Sequence, residues 1–200
     1  MIPLTFQFII AESETSGPRS REEVSDWLIR FLEMKLMTVD NPAVVFDVDS
    51  TLIERDSHSF KRIDPIYKVF DFCQRKNIPC HIVTARQECE EGMQELSRVM
   101  KHMNMKLSKF RSVHMRPRGT EIKAKNLERF KSSCREEIGD SGYTIIANIG
   151  DNWHDLGYLS KSLKYLDDTK SYIAFFPTQT TVSVKLPIDR LSGCNRGNLQ

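Results

Sequence analysis

The chain has 200 residues, of which 40% are hydrophobic and 28% charged, with a formal net charge of +2. That length suits one domain able to bury roughly 70% of its unfolded surface, and the composition is ordinary for a soluble globular protein. The near balance of charge excludes an overall polycation and leaves only local basic clusters, such as Lys106, Lys109, Arg111, Arg116 and Arg118, which read best as a solvated face.

Taken in order, "MIPLTFQFII" is apolar but has neither a basic leader nor a small-residue cleavage site, and it is shorter than the roughly 20 residues of a membrane span. The five cysteines are odd in number and lack zinc-ligand or CxxC spacing. Together these predict a soluble, cytoplasmic protein without a membrane partner. After the polar link 12–20, "REEVSDWLIRFLEMKLM" sets Val24, Trp27, Leu28, Phe31, Leu32 and Leu36 at helical spacing, a face for packing on the main body. "NPAVVFDVD" then begins a strand. Asp64 is expected to cap a helix with Pro65 at its first position, and "IPCHIVTA" gives the next strand. "RQECEEGMQELSRVMKHM" reads as a helix, "FRSVHM" as a short strand and "TEIKAKNLERFKSSCREEI" as a helix opened by Thr120. "GYTIIANIGDN" is a third apolar strand, and "SYIAFFPT" a further one. Near-continuous apolar strands alternating with helices predict an α/β fold, a doubly wound parallel sheet with helices on both faces. The expected division is an N-terminal extension over 1–40, a core domain over 41–189 and a flexible tail over 190–200.

The chemistry begins at "VVFDVDSTLI", where Asp47 and Asp49 stand at the end of a run that should be buried. An unpaired carboxylate in an apolar setting costs several kcal/mol or gives up its charge, so the pair calls for a cation, a proton donor or a catalytic task. In an open α/β sheet the strand C-terminal ends share one crevice. "DVDST", "TAR", "GDNWHD" and the lysines opening the preceding helix should all reach it. The plainer reading makes Asp47 and Asp49 turn residues, Thr84 a helix cap and His154 and Trp153 packing groups. Arg86 either contacts substrate or pairs with a carboxylate.

"FDVDSTL", "IVTAR", a lysine-bearing helix and "NIGDNWHDL" follow the order of the four motifs of the haloacid dehalogenase-like (HAD) superfamily, which this chain resembles over about Pro42 to Pro187. "GYTIIANIGDNWHDL" and the later "KLP" are similar to its acid phosphatase branch, subfamily IIIB, with class B and C enzymes and plant vegetative storage proteins. The resemblance implies a Rossmann-like core and a Mg²⁺-dependent phosphomonoesterase working through an aspartyl-phosphate. Asp47 becomes the nucleophile. Asp49 becomes the acid and base, its pKa raised by burial beside the strand. Asp47, the main-chain carbonyl of Asp49 and Asp151 become the metal ligands, supported by Asn152 and Asp155. Thr84 and Ala85 become the phosphate-binding pair, helped by a lysine, Lys123 in preference to Lys125, and by Arg86. Ser50 departs from the pattern by filling a slot often held by Gly or an acidic residue.

Only 36 residues separate Asp47 from Thr84 and 38 separate Thr84 from Lys123, too few for a large cap domain. An open site and a phosphate-ester substrate follow. "VHMRPRG" resembles a stretch of the phosphatase domain of polynucleotide kinases, which adds nucleotides and nucleic-acid 3′-phosphate ends to the substrate classes. A non-catalytic binding or storage protein on the same scaffold is the alternative from another class.

Overall fold

The computed structural model describes residues 9–10, 20–55, 59–156, 172–175 and 181–186. The strands are, in chain order, β1 (Ile9–Ile10), β2 (Pro42–Phe46), β3 (Ile53–Arg55), β4 (Phe60–Arg62), β5 (Cys80–Gln87), β6 (Ser112–Arg116), β7 (Thr144–Gly150), β8 (Tyr172–Phe175) and β9 (Val182–Lys185). The helices are α1 (Arg21–Leu36), α2 (Asp64–Arg75), α3 (Glu90–His102) and α4 (Ala124–Asp140). One sheet has the order β1-β8-β9-β7-β2-β5-β6, and β3 and β4 form a separate hairpin. The five strands from β9 to β6 are parallel; β8 and β1 add an antiparallel edge.

The apolar runs become the middle of this sheet because each strand is buried on both faces. Val44, Phe46, Cys80 and Ile82 face the larger core, which α1, α2 and α3 cover. Val45 and Val83 face the other way, under Cys134 and Ile138 of α4. Phe46 meets the rings of Phe70 and Phe110 edge-on, with centroids 6.2 and 6.5 Å away. Helix α1 starts at a capping box, in which the Ser20 hydroxyl accepts from the Glu23 amide and the Glu23 carboxylate from the Ser20 amide. It is tied to α2 by the Ser25 hydroxyl, which donates to the Pro65 carbonyl at 2.6 Å.

Several boundaries differ from the expectation, each for a local reason. Strand β5 runs on to Gln87 instead of giving way to a helix at Arg86, because the Ala85 carbonyl accepts from Arg116 and the Glu88 amide donates to the Arg116 carbonyl. The pairing with β6 shifts register between Thr84 and Gln87, and α3 starts only after Cys89, whose sulfur accepts from the Gly92 amide. Helix α4 starts at Ala124, not Thr120, because Pro117 to Thr120 form a turn with Gly119 at φ +84° and the Thr120 carbonyl is taken by Arg116. Arg116 is thus buried between the end of β5 and the loop before α4 and does not belong to a solvated basic face, whereas Lys106, Lys109, Arg111 and Arg118 are exposed. Asp64 begins α2 and accepts from Arg62 at 2.7 Å; the capping position is Ile63, which makes no side-chain cap bond. The segment after the first motif is a hairpin, with Arg55 opposite Phe60. The expected tail over 190–200 and residues 11–19 of the extension lie outside the described residues. Among the described residues no helix is long and apolar enough to cross a membrane.

On β5, opposite Val45 of β2, His81 is buried, with Nδ1 2.8 Å from the Ser112 hydroxyl and Nε2 without a hydrogen-bond partner among the described residues. Burial, helped by the neighbouring His114 and Arg111, lowers its pKa to about 4 from 6.5. The unfolded chain therefore binds a proton at His81 between about pH 6.5 and 4 that the folded chain refuses, so His81 favours folding above this window and the benefit is lost as pH falls through it. Thermal melts should show a smaller loss of Tm between pH 6.5 and 4 in His81→Gln than in the parent.

Candidate active site

Strand β2 ends at Phe46, but the chain stays paired for one more residue, since the Asp47 amide donates to the Ile149 carbonyl at 2.9 Å. It then wraps tightly, with the amides of Leu52 and Ile53 donating to the Val48 carbonyl at 2.9 and 3.1 Å. Ser50 takes the left-handed backbone at φ +59°, which explains why glycine suits this slot. The turn sends the two aspartates to different environments. The Asp47 side chain is 7% exposed and that of Asp49 52% exposed. The expected burial of Asp49 is therefore not found: it sits at the tip of the turn.

The lysine at Asp47 is Lys131, in the middle of α4. Its ammonium donates to Asp47 Oδ1 at 2.5 Å and to Asp155 Oδ1, and its side chain is 2% exposed. Lys123 is 71% exposed and pairs with Glu121 at 2.6 Å, and Lys125 is also exposed, so neither preferred lysine is brought to the aspartates. A sequence signal for Lys131 existed. It shares the buried stripe of α4 with Leu127, Cys134 and Ile138, a helical spacing that otherwise carries core residues. A lysine on such a stripe needs a partner.

The third part comes from the end of β7. Asp151 is buried there and its Oδ1 accepts from the Asn152 side chain at 2.7 Å. The chain then turns through a short 3₁₀ segment, Trp153–Leu156, which brings Asp155 back over the strand. Asp155 Oδ2 accepts from the Asn152 amide at 2.9 Å. Gly150 makes this return feasible: a Cβ there would overlap the Cβ of Asp155 and lie 2.5 Å from its Oδ2. Arg135, one turn after Lys131, donates to the Asp155 carbonyl at 3.0 Å and holds the same segment from α4. His154 is partly buried, with burial lowering its pKa; the side chain of Trp153 lies outside the described residues.

Carboxylate oxygens of Asp47, Asp151 and Asp155 lie within 4.8 Å of one another. Burial pushes the Asp47 carboxyl well above its ordinary range; Lys131 opposes this, and Asp155 and Asp151 add to it. Burial also disfavours the charged forms of Asp155 and Lys131, but their mutual attraction more than reverses that, lowering the one and raising the other. Three buried carboxylates thus face one ammonium. That excess of negative charge, with oxygen donors only, fits a hard divalent cation.

On the neighbouring strand, Thr84 is fully buried and its hydroxyl accepts from the Arg86 amide at 3.3 Å, while Arg116 Nε donates to the Ala85 carbonyl at 3.0 Å. Of the two readings of Arg86, the structure shows the carboxylate pair: its Nε and Nη2 donate to the two oxygens of Asp49 at 2.9 and 2.7 Å.

The family model of HAD superfamily, subfamily IIIB (Acid phosphatase) matches residues 56–180, more than half of the chain. The matched stretch holds Thr84, Lys131, Asp151 and Asp155 and begins after Asp47 and Asp49. No curated protein matches the sequence. Among solved structures, the class C acid phosphatase from Bacillus anthracis superposes with a TM-score of 0.54 at 10% identity, covering 84% of this chain and 77% of that one. The same enzyme with tungstate bound gives 0.54 at 11% identity, covering 82% and 73%. At such identities the likeness is one of fold.

Replacing Lys131 with Met should destabilise the fold by about 3–5 kcal/mol, because it leaves buried carboxylates uncompensated, whereas Lys123→Met should stay within about 0.5 kcal/mol of the parent. Urea titration of the two variants checks both. Gly150→Ala should displace Asp155, and calorimetric titration with a divalent cation should find the affinity lowered on the order of tenfold or more.

Proposed function

The chain belongs to subfamily IIIB of the HAD superfamily, the acid phosphatases, and is a phosphoric monoester hydrolase; from that premise we propose that it works through an aspartyl-phosphate on Asp47, with Mg²⁺ as its divalent ion. The observation that carries this reading is the buried Asp47 carboxylate, 2.5 Å from Lys131 and grouped with Asp151 and Asp155.

A carboxylate oxygen of Asp47 attacks phosphorus, and the bond from phosphorus to the ester oxygen breaks. Asp49 gives that oxygen its proton. Water then attacks the phosphorus, Asp49 takes the water's proton, and the bond to Asp47 breaks to release inorganic phosphate. Asp49 suits proton exchange because it stands half exposed at the cleft, within two residues of the nucleophile. Lys131 offsets the charge of Asp47 throughout, and Asp155 keeps Lys131 in place. Asp47 and Asp151, with the main-chain carbonyl of Asp49, would hold the Mg²⁺; Asp155 stands near enough to join or support them. When bound, the ion neutralises the anionic nucleophile and phosphoryl group that must meet. Thr84 and Ala85, at the adjoining strand end, would receive the phosphoryl oxygens.

The described residues between β2 and β5 hold the β3–β4 hairpin and α2, and those between β6 and α4 a short loop, so no cap domain lies over the site there. The cleft beside Asp49, about 550 Å³ and lined by Arg55, Phe60 and Arg86 among others, is open to a leaving group as large as a nucleoside. A reducing, intracellular setting is part of the same proposal, supported by cysteines without paired spacing.

Asp47→Asn should lower turnover of phenyl phosphate on the order of 10³-fold or more while leaving the circular dichroism spectrum unchanged. Acid quenching with ³²P-labelled substrate should leave label on the parent protein and none on the variant. Label on Asp47→Asn, or full turnover in excess chelator, refutes the reading.

A further inference from the structure

The pair between Arg86 and Asp49 is in conflict with the task of Asp49. Both carboxylate oxygens accept N–H groups from one guanidinium, at 2.9 and 2.7 Å, so in this arrangement Asp49 is engaged as an acceptor on both sides. To reach an ester oxygen or a water it must leave the fork. Arg86 is not free to let go unaided: its side chain is only 16% exposed, and a guanidinium stripped of its partner there would be left poorly solvated. The pair therefore opens readily only if another anion takes its place.

The surroundings say which anion that is. Arg86 hangs from the end of β5, next to β2, its backbone amide bonded to the hydroxyl of Thr84. The negative charges of Asp49, Glu95 and Asp47 all reach it. The guanidinium carbon lies 5.7 Å from the centre of the Phe60 ring, which limits its retreat towards the hairpin. Glu91 and Glu95 line the same cleft, so an anion entering beside them meets repulsion, whereas one seated at Asp47 has the Lys131 ammonium near it. A phosphoryl group presents two oxygens with the spacing of a carboxylate and accepts the same bidentate fork.

We propose that Arg86 is handed from Asp49 to the phosphoryl group on binding, so that the substrate itself releases the acid and base carboxylate. The exchange keeps a bidentate pair on Arg86 before and after, and it leaves Asp49 free only when a phosphoryl group is in the cleft. This rests on the assignment of Asp49 above. It makes Arg86 a residue of substrate affinity, one that restrains Asp49 in the resting protein.

The test is the division between KM and kcat in Arg86→Gln and Arg86→Lys, using phenyl phosphate as substrate and inorganic phosphate as inhibitor. The exchange predicts that in Arg86→Gln the KM and the inhibition constant of phosphate rise together, about tenfold or more as expected for losing a charge-assisted pair, while kcat changes by less than about threefold. Arg86→Lys, which keeps the charge and loses the fork, should fall between. A fall in kcat with KM unchanged would mean that Arg86 only positions Asp49, and no change in either would mean a surface pair without function; both overturn the proposal. Asp47→Asn in the same assay separates the two levels, since turnover surviving in that variant refutes the aspartyl-phosphate and says nothing for Arg86.

Discussion

The ammonium of Lys131 between Asp47 and Asp155 is the contact on which the rest of the site depends. It joins three parts of the chain that share no sequence proximity: the end of β2, the middle of α4 and the turn after β7. Each partner is buried, and each would be costly alone. Held together, they place the strand end, the helix and the turn relative to one another, because none can move without leaving a charge unpaired in the interior. The ammonium still leaves an excess of carboxylate charge. The same contact that holds the site together thus prepares it for a divalent ion.

Around it, the sheet supplies direction and the loops supply closeness. Parallel strands bring the ends of β2, β5 and β7 to one edge, which is why residues separated by a hundred positions can meet there. The strands alone do not bring Asp155 back over β7. That takes a glycine at 150, whose missing Cβ makes room, and Arg135, which holds the returning backbone from α4. On the other side Arg116 is buried under the Ala85 carbonyl and joins the loop before α4 to the strand end that carries Thr84. Arg116, which reads as surface charge in the sequence, is a structural tie in the fold, and so is Arg135.

The turn at Ser50 gives two identical side chains different surroundings. Asp47 is still paired with β7 and faces inward, whereas Asp49 is carried past the edge into the cleft. A group that attacks phosphorus gains from a fixed position beside a cation, and a group that exchanges protons gains from access to solvent and leaving group. One tight turn provides both. The hairpin β3–β4 then forms a wall of the cleft, with Phe60 near both Arg55 and Arg86.

Local pattern was enough to determine the alternation of strands and helices, the parallel sheet and the strand edge at which Asp47, Asp49 and Asp151 stand. Apolar periodicity and strand-end position are properties of neighbouring residues, so they can be read along the chain. The lysine was not legible in the same way. Lys123 and Lys125 stand at the start of α4, the helix end nearest in sequence to the strand-end site, yet they are exposed. Lys131, two turns further on, reaches the aspartates because the packing of α4 on the sheet turns that stripe inward. The exposure of Asp49 and its pairing with Arg86 were likewise decided by the tertiary structure, since they depend on how the turn at Ser50 meets the end of β5. Sequence fixes which groups carry charge; only the folded chain sets the distances and burial that determine which of those charges face one another.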